Sequence, residues 1–121
     1  MTVRRILVSG SRGWSNKRLV RDALPTKGDV IVIHGGALGA DFLASEVAQE
    51  RGFAEWVFVP DWENLGKKAG TIRNGNMLKR GDPHEALVFW DGKSRGTKDM
   101  LDRLNRANVH TQLFVDTDAA Q

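Results

Sequence analysis

The chain has 121 residues, room for one hydrophobic core but not two. Hydrophobic residues make up 40%, charged residues 27% and cysteine is absent, which excludes a disordered chain, a coiled coil, a disulfide framework and any thiolate chemistry. Lys and Arg number 18 against 15 Asp and Glu, a formal charge of +3 spread along the chain, which suits an anionic small molecule and argues against a nucleic-acid groove.

Strand and helix signals alternate from the N-terminus onward. Ile6-Leu7-Val8 is a short apolar run stopped by Ser9-Gly10-Ser11-Arg12-Gly13, the pattern of a buried strand. Leu19, Val20, Ala23 and Leu24 recur at helical spacing until Pro25. Val30-Ile31-Val32-Ile33 is a second β-branched run, stopped by His34-Gly35-Gly36. Ala40, Leu43, Ala44, Val47 and Ala48 form a helical stripe that Gly52 closes. Trp56-Val57-Phe58-Val59 predicts a third strand, ended by Pro60, with Trp56 in the core. Residues 64–80 predict a loop leading into a helix, because Gly66, Gly70 and Gly75 each weaken a helix there. Ala86-Leu87-Val88-Phe89-Trp90 predicts a fourth strand, with Trp90 in the core, ended by Asp91-Gly92. Met100, Leu101, Leu104 and Ala107 mark the last helix. Val109, Thr111, Leu113 and Val115 alternate as a half-exposed edge strand, followed by a frayed tail over 116–121.

Strands buried on both faces and alternating with helices predict an α/β fold. It is a three-layer sandwich around a five-stranded, mainly parallel sheet, one domain over residues 1–121. No apolar run reaches the length of a membrane span, and Ile6-Leu7-Val8 is too short for a signal-peptide core. The expected setting is the cytoplasm, that of the host if the source is viral.

Thirteen glycines are present, and those after the strands cluster. Gly10 and Gly13 follow the first strand, Gly35, Gly36 and Gly39 the second, and Gly92 and Gly96 the fourth. Right-handed crossovers put all these loops at the carboxyl edge of the sheet, where open α/β sheets bind ligands. Glycine lets backbone approach an anion, and a helix N-terminus adds free N–H groups and a positive dipole end. Several such loops together suggest a phosphate-bearing ligand, although tight turns alone account for one or two of them. The spacing is neither that of a Rossmann G-x-G-x-x-G fingerprint nor that of a Walker loop.

Four segments carry a family resemblance: Gly10-Ser11-Arg12-x-Trp14, His34-Gly35-Gly36-Ala37-x-Gly39-Ala40-Asp41, Ala69-Gly70-x-Ile72-Arg73-Asn74-x-x-Met77, and Asp91-Gly92-x-Ser94-Arg95-Gly96-Thr97-x-Asp99-Met100. Together they resemble the YspA/YpsA-related branch of the SLOG superfamily, which includes DprA-like and LOG-like proteins. The resemblance runs from about Ile6 to about Val115. It implies a Rossmann-like domain that binds nucleotides or nucleotide-derived molecules, often of the ADP-ribose type, and it implies no single activity. With the family's strand order 3-2-1-4-5, Ser11 and Arg12 face Arg95, Gly96 and Thr97 across a crevice, and Gly35 and Gly36 close one side.

The candidate ligand-binding residues are Gly10, Ser11, Arg12, Trp14, His34, Gly35, Gly36, Asp41, Arg73, Asn74, Ser94, Arg95, Gly96 and Thr97. Arg12 and Arg95 suit bidentate phosphate recognition. Thr97 can donate to phosphate or cap the last helix. Trp14 and Trp62 lie in loops near the carboxyl edge, where an aromatic ring can stack on a base; packing under the loop is the alternative for Trp14. His34 reads as a phosphate contact, an acid/base or a histidine bonded within the core. Asp41 and Asp99 each read as first-turn carboxylates favoured by a helix dipole, or as acidic groups of a site. Asp41 could also bind ribose hydroxyls or orient Arg12. Arg73 and Asn74 sit in a polar, glycine-rich stretch that breaks helical patterning, which points to ligand contact.

LOG enzymes resemble this chain and cleave nucleotide N-glycosidic bonds with a Pro-Gly-Gly-x-Gly-Thr-x-x-Glu motif. Their glutamate position falls on Met100, and the paired glycines are replaced around Gly92-Lys93-Ser94. A hydrolase would have to use Asp99, Asp41 or Asp61. The leading expectation is therefore a binder of a nucleotide-derived phosphate ligand, acting as sensor, sponge or carrier. A LOG-type N-glycosidase is the alternative, and single-stranded nucleic-acid binding as in DprA is third. No metal constellation is expected from His34, His84 and His110, and no firm cofactor, beyond a Mg²⁺ ion carried in by a nucleotide phosphate. A homodimer or higher homo-oligomer is expected, since LOG-like relatives pair through helices.

Overall fold

Period-two alternation along the central strands divides the core between two faces of one sheet. The computed structural model describes residues 2–117. The elements are β1 (Arg4–Gly10), α1 (Lys17–Ala23), β2 (Val30–His34), α2 (Ala40–Arg51), β3 (Ala54–Val57), α3 (Trp62–Leu65), a 3-10 turn (Gly66–Lys68), α4 (Ala69–Gly81), β4 (Glu85–Trp90), α5 (Arg95–Arg106) and β5 (His110–Val115). Ile6 and Val8 of β1, Val30 and Val32 of β2, and Leu87 and Phe89 of β4 pack on one side with Val20 of α1 and Ala44 and Val47 of α2. Leu7, Ile33, Ala86 and Val88 pack on the other with Met77 of α4 and Met100 and Leu104 of α5. Adjacent residues on a strand point to opposite faces, so a continuous apolar run feeds both layers. Phe89 is fully buried between Trp14 and Phe114, with ring centroids 5.4 and 4.9 Å away.

The sheet order is β3-β2-β1-β4-β5, and every neighbouring pair is parallel. The chain winds outward from β1 to β3, then returns to place β4 on the other side of β1. The switch point therefore lies between β1 and β4, where the loops after both strands diverge and leave a crevice.

Three local expectations change. β3 spans Ala54–Val57 rather than 56–59, because its partner β2 ends at His34, which pairs with Val57. Phe58 adds one further bond, its N–H donating to the His34 carbonyl at 2.8 Å, before Pro60. Trp56 is 41% exposed, not core, since β3 is an edge strand. Residues 62–81 are helical almost throughout, so Arg73 and Asn74 sit on α4 rather than in a break. Gly70 and Gly75 lie within this helix, where a Cβ would make ordinary contact with the Trp62 ring at 3.4 Å and a tighter one, at 3.1 Å, with the end of the Arg103 side chain.

In the tail expected to fray over 116–121, the Asp116 N–H donates to the Trp90 carbonyl at 3.0 Å, and positions 118–121 lie outside the described residues.

Gly39 joins the first two loops. It precedes α2 with φ +78°, and a Cβ on it would collide with the backbone carbonyls of Ser11 and Arg12. Gly39→Ala is expected to cost about 2–3 kcal/mol, from backbone strain and from pushing the Arg12 loop off α2. Urea denaturation measures this, and an unchanged midpoint would contradict the role.

Candidate functional site

The loops after β1, β2 and β4, together with α3 and α4, enclose a cavity of about 570 Å³ at the carboxyl edge. That is the size of a typical small-molecule site. Its wall on the β4 side is the N-terminus of α5: Ser94, Arg95, Gly96 and Thr97 all line it. The first N–H groups of a helix have no intrahelical acceptor and carry partial positive charge. A Cβ on Gly96 would meet nothing within 4 Å, so this helix end is open to close approach.

A chain of small hydroxyls fixes the two sides of the switch point. The Asp91 N–H donates to Ser11 Oγ at 2.9 Å, Ser11 Oγ lies 3.3 Å from Ser94 Oγ, and Ser94 Oγ donates to Thr97 Oγ1 at 2.7 Å. Between Ser11 and Ser94 either hydroxyl can be the donor. Thr97 accepts in this chain and keeps its own proton to donate. Asp91 closes the turn, its Oδ1 accepting from the N–H groups of Lys93 and Ser94 at 2.8 and 2.7 Å. Desolvation opposes the Asp91 carboxylate, but these N–H donors outweigh it and hold its pKa below the ordinary value.

The floor is ionic. Asp41, in the first turn of α2, is 5% exposed. Its Oδ2 accepts from the N–H groups of Gly35 at 3.0 Å and Ala37 at 3.3 Å, which shapes the loop after β2. Its Oδ1 is buried and has no donor among the described residues. Burial raises the Asp41 pKa against the opposing pull of His34, of those N–H groups and of Arg73. Arg73 reaches from α4 to donate to the carbonyls of Gly35 at 2.8 Å and Phe58 at 3.3 Å, and to Asn74 Oδ1 at 3.1 Å. Burial lowers the Arg73 pKa, Asp41 opposes that shift, and the neighbouring Arg12 cation adds to it. Arg12 and Arg73 line the same cavities, and an anion between them would relieve their mutual repulsion. A Cβ on Gly35 would collide with the Arg73 guanidinium, so this glycine makes room for the arginine.

The structure brings most of the expected residues together and sets others apart. Gly10, Arg12, Asp41, Arg73, Asn74, Ser94, Arg95, Gly96 and Thr97 line the large cavity, and Gly35 and Gly36 line a smaller one beside it. Ser11 lines neither; it is buried and joins the loops. Gly10 touches the cavity, but a Cβ there would meet Ala40 and the Phe89 carbonyl, so close packing already demands it. Trp14 is buried at 3% exposure against Phe89, its Nε1 donating to the Asn16 carbonyl at 3.2 Å. His34 is also buried: its Nδ1 accepts from the Gly36 N–H at 3.1 Å, which leaves Nε2 to donate to Glu55 Oε1 at 2.8 Å.

Among the acidic candidates only Asp41 faces the cavity. Asp99 lies one turn further into α5 than expected, and its Oδ2 accepts from Asn74 Nδ2 at 3.1 Å and Arg103 Nε at 2.8 Å. Asn74 also donates to the Gly96 carbonyl at 3.1 Å and so holds the start of α5 in place. Asp61 is exposed and caps α3 through Asn64. Met100 is fully buried in the core. Thr97 lies inside α5, one turn after the cap position held by Ser94.

Lys67 and Thr71 also line the cavity and were not singled out from the sequence, while Gly13, which the glycine clusters pointed to, lines it too. Lys67 gave no signal, since it precedes α4 in a stretch expected to be loop. The side chains of Arg12, Lys67 and Arg95 have no hydrogen-bond or ion-pair partner among the described residues. No group of His, Asp or Glu able to hold a metal ion occurs among the described residues.

The chain matches the YspA, cpYpsA-related SLOG family (YAcAr) over residues 4–65. It is also similar to the protein named Gene 61 protein of Mycobacterium phage D29, at 36% identity over 124 residues that cover 94% of this chain and 98% of that relative.

Proposed function

Because the chain belongs to the YspA, cpYpsA-related SLOG family, we propose that its carboxyl-edge cavity binds a nucleotide or nucleotide-derived phosphate ligand, ADP-ribose-like or a nucleoside phosphate. The protein acts on this reading as a sensor, sponge or carrier. One observation carries it: Arg12, Lys67 and Arg95 line a single cavity without protein partners, beside the open N-terminus of α5. Phosphate oxygens supply the charge and acceptors that this arrangement lacks. A Mg²⁺ ion enters only with the ligand's phosphates. Among the described residues no helix is long and apolar enough to cross a membrane, and the phage relative fits work in a host cytoplasm.

A LOG-type N-glycosidase is the second reading, favoured by the buried Asp41 carboxyl on the cavity wall, whose burial favours the protonated form a general acid needs. Incubation with nucleoside monophosphates and with ADP-ribose, followed by calorimetry and by chromatography of the supernatant, separates the two. Binding without consumption is the expected result. Release of free base, abolished by Asp41→Asn, would replace the binder reading with the hydrolase, and neither binding nor consumption would contradict both. DprA-like binding of single-stranded DNA would instead show affinity falling steeply with salt. The expected homo-oligomer has support in Phe42 of α2 and Trp56 and Val57 of edge strand β3, which are 53%, 41% and 49% exposed. Light scattering after size exclusion is expected to give a dimer mass, and a monomer mass at all concentrations would contradict it.

A further inference from the structure

A second cavity of about 270 Å³ opens beside the first, and its chemistry is different. Arg12, Arg73 and Trp62 line both, so the two spaces adjoin along the arginines. Beyond that boundary the side chains are apolar: Leu38, Val59 and Pro60 join Trp62, with the loop from Gly35 to Ala37 along one side. Leu38 and Val59 are 71% and 73% exposed, unusually open for large apolar side chains at the mouth of a cavity. The volume is small against the roughly 300–1,000 Å³ that whole ligands occupy, so the space suits one moiety of a ligand rather than a separate molecule.

We propose that this smaller cavity is a nucleobase subsite, with the ligand crossing the Arg12–Arg73 boundary so that its phosphates lie in the larger cavity and its base against Leu38, Val59 and Trp62. The inference rests on the phosphate reading of the larger cavity and adds the ligand's direction and its second recognition element. A flat, largely apolar ring gains by leaving water for such a wall, and an indole offers it a stacking face. Charge and apolarity are segregated between the adjoining spaces as they are between the ends of a nucleotide. The loop after β2 builds this wall: Gly36 takes φ +70°, where a Cβ would meet Val57 and Val59, and Leu38 follows two residues on. The rival occupant is a second copy of the chain.

Calorimetry with ADP and with inorganic pyrophosphate tests the proposal, on the wild type and on Leu38→Ser/Val59→Ser. Both positions are exposed and line only the smaller cavity, so the fold and the phosphate contacts should persist. The wild type is expected to bind ADP at least tenfold more tightly than pyrophosphate, and the double variant to lose that advantage while holding pyrophosphate as before. Equal wild-type affinities for the two probes, or an ADP advantage untouched by the variant, would overturn the subsite and leave the phosphate reading standing. A variant that turns from dimer to monomer with its ADP advantage intact would assign the wall to a subunit interface instead. Failure of both probes to bind the wild type would remove the phosphate reading together with the subsite.

Discussion

Replacing Arg12 and Arg95 together by alanine is expected to weaken ADP-ribose binding about 100-fold or more without unfolding the protein. A hydrogen bond to a charged partner contributes about 1.5–3 kcal/mol, and about 1.4 kcal/mol corresponds to a tenfold change in affinity. Both side chains are exposed and neither has a hydrogen-bond or ion-pair partner among the described residues, so truncation removes no internal contact. Other arginines at the surface behave differently: Arg4 pairs with Glu85 at 2.9 Å, and Arg103 with Asp99 at 2.8 Å. The double variant should therefore unfold within about 0.5 kcal/mol of the wild type, as most surface substitutions do. Calorimetric titration beside a urea melt checks both halves. Wild-type affinity in a folded variant would show that the ligand sits elsewhere.

Replacing Asp41 by alanine is expected to destabilise the fold by about 2–4 kcal/mol, because it leaves two backbone N–H groups at a buried site without their acceptor. The Gly35 and Ala37 N–H groups lose their acceptor, and the part-buried Arg73 loses its nearby opposite charge. Asp41→Asn keeps one acceptor for the two N–H groups and should cost less. The pair of variants also has a pH signature. Burial raises the folded-state pKa of Asp41 above the ordinary 3.8, so the folded state holds its proton more tightly than the unfolded chain. That stabilisation is complete below 3.8 and is lost as pH rises through the higher folded value. Relative to Asp41→Asn, the wild type should therefore gain stability as pH falls from neutral toward 4. Urea melts across that range measure it, and a pH-independent difference would mean that Asp41 titrates as it does in water.

The central strands and the shared edge of their glycine loops were legible in the sequence because each rests on a local signal, whereas the strand order came from the family resemblance. Continuous runs such as Val30–Ile33 and Ala86–Trp90 identify doubly buried strands, and the glycine clusters after them lie at one edge by the handedness of the crossovers. Side-chain direction was not legible. Trp14 and His34 occupy sequence positions suited to a ligand, yet their rings turn inward to Phe89 and Glu55. Ser11 turns to Ser94, a contact made across the switch point by residues far apart in the chain. The helical character of residues 69–81 was obscured by Gly70 and Gly75, whose packing partners Trp62 and Arg103 appear only in three dimensions. The same limit hid the proximity of Arg12 to Arg73, since the sequence suggested Arg12 and Arg95 as the pair.

The central claim is that the ligand occupies the crevice between the β1 and β4 loops, and amide chemical-shift mapping tests it most directly. Titration of ¹⁵N-labelled protein with ADP-ribose is expected to move the amides of Arg12, Gly13, Gly96 and Thr97 most, with smaller changes at Ala37 and Thr71. Largest shifts at Gly75, Lys79 and Asp82, which line a separate cavity, or no shifts at all, would contradict the account.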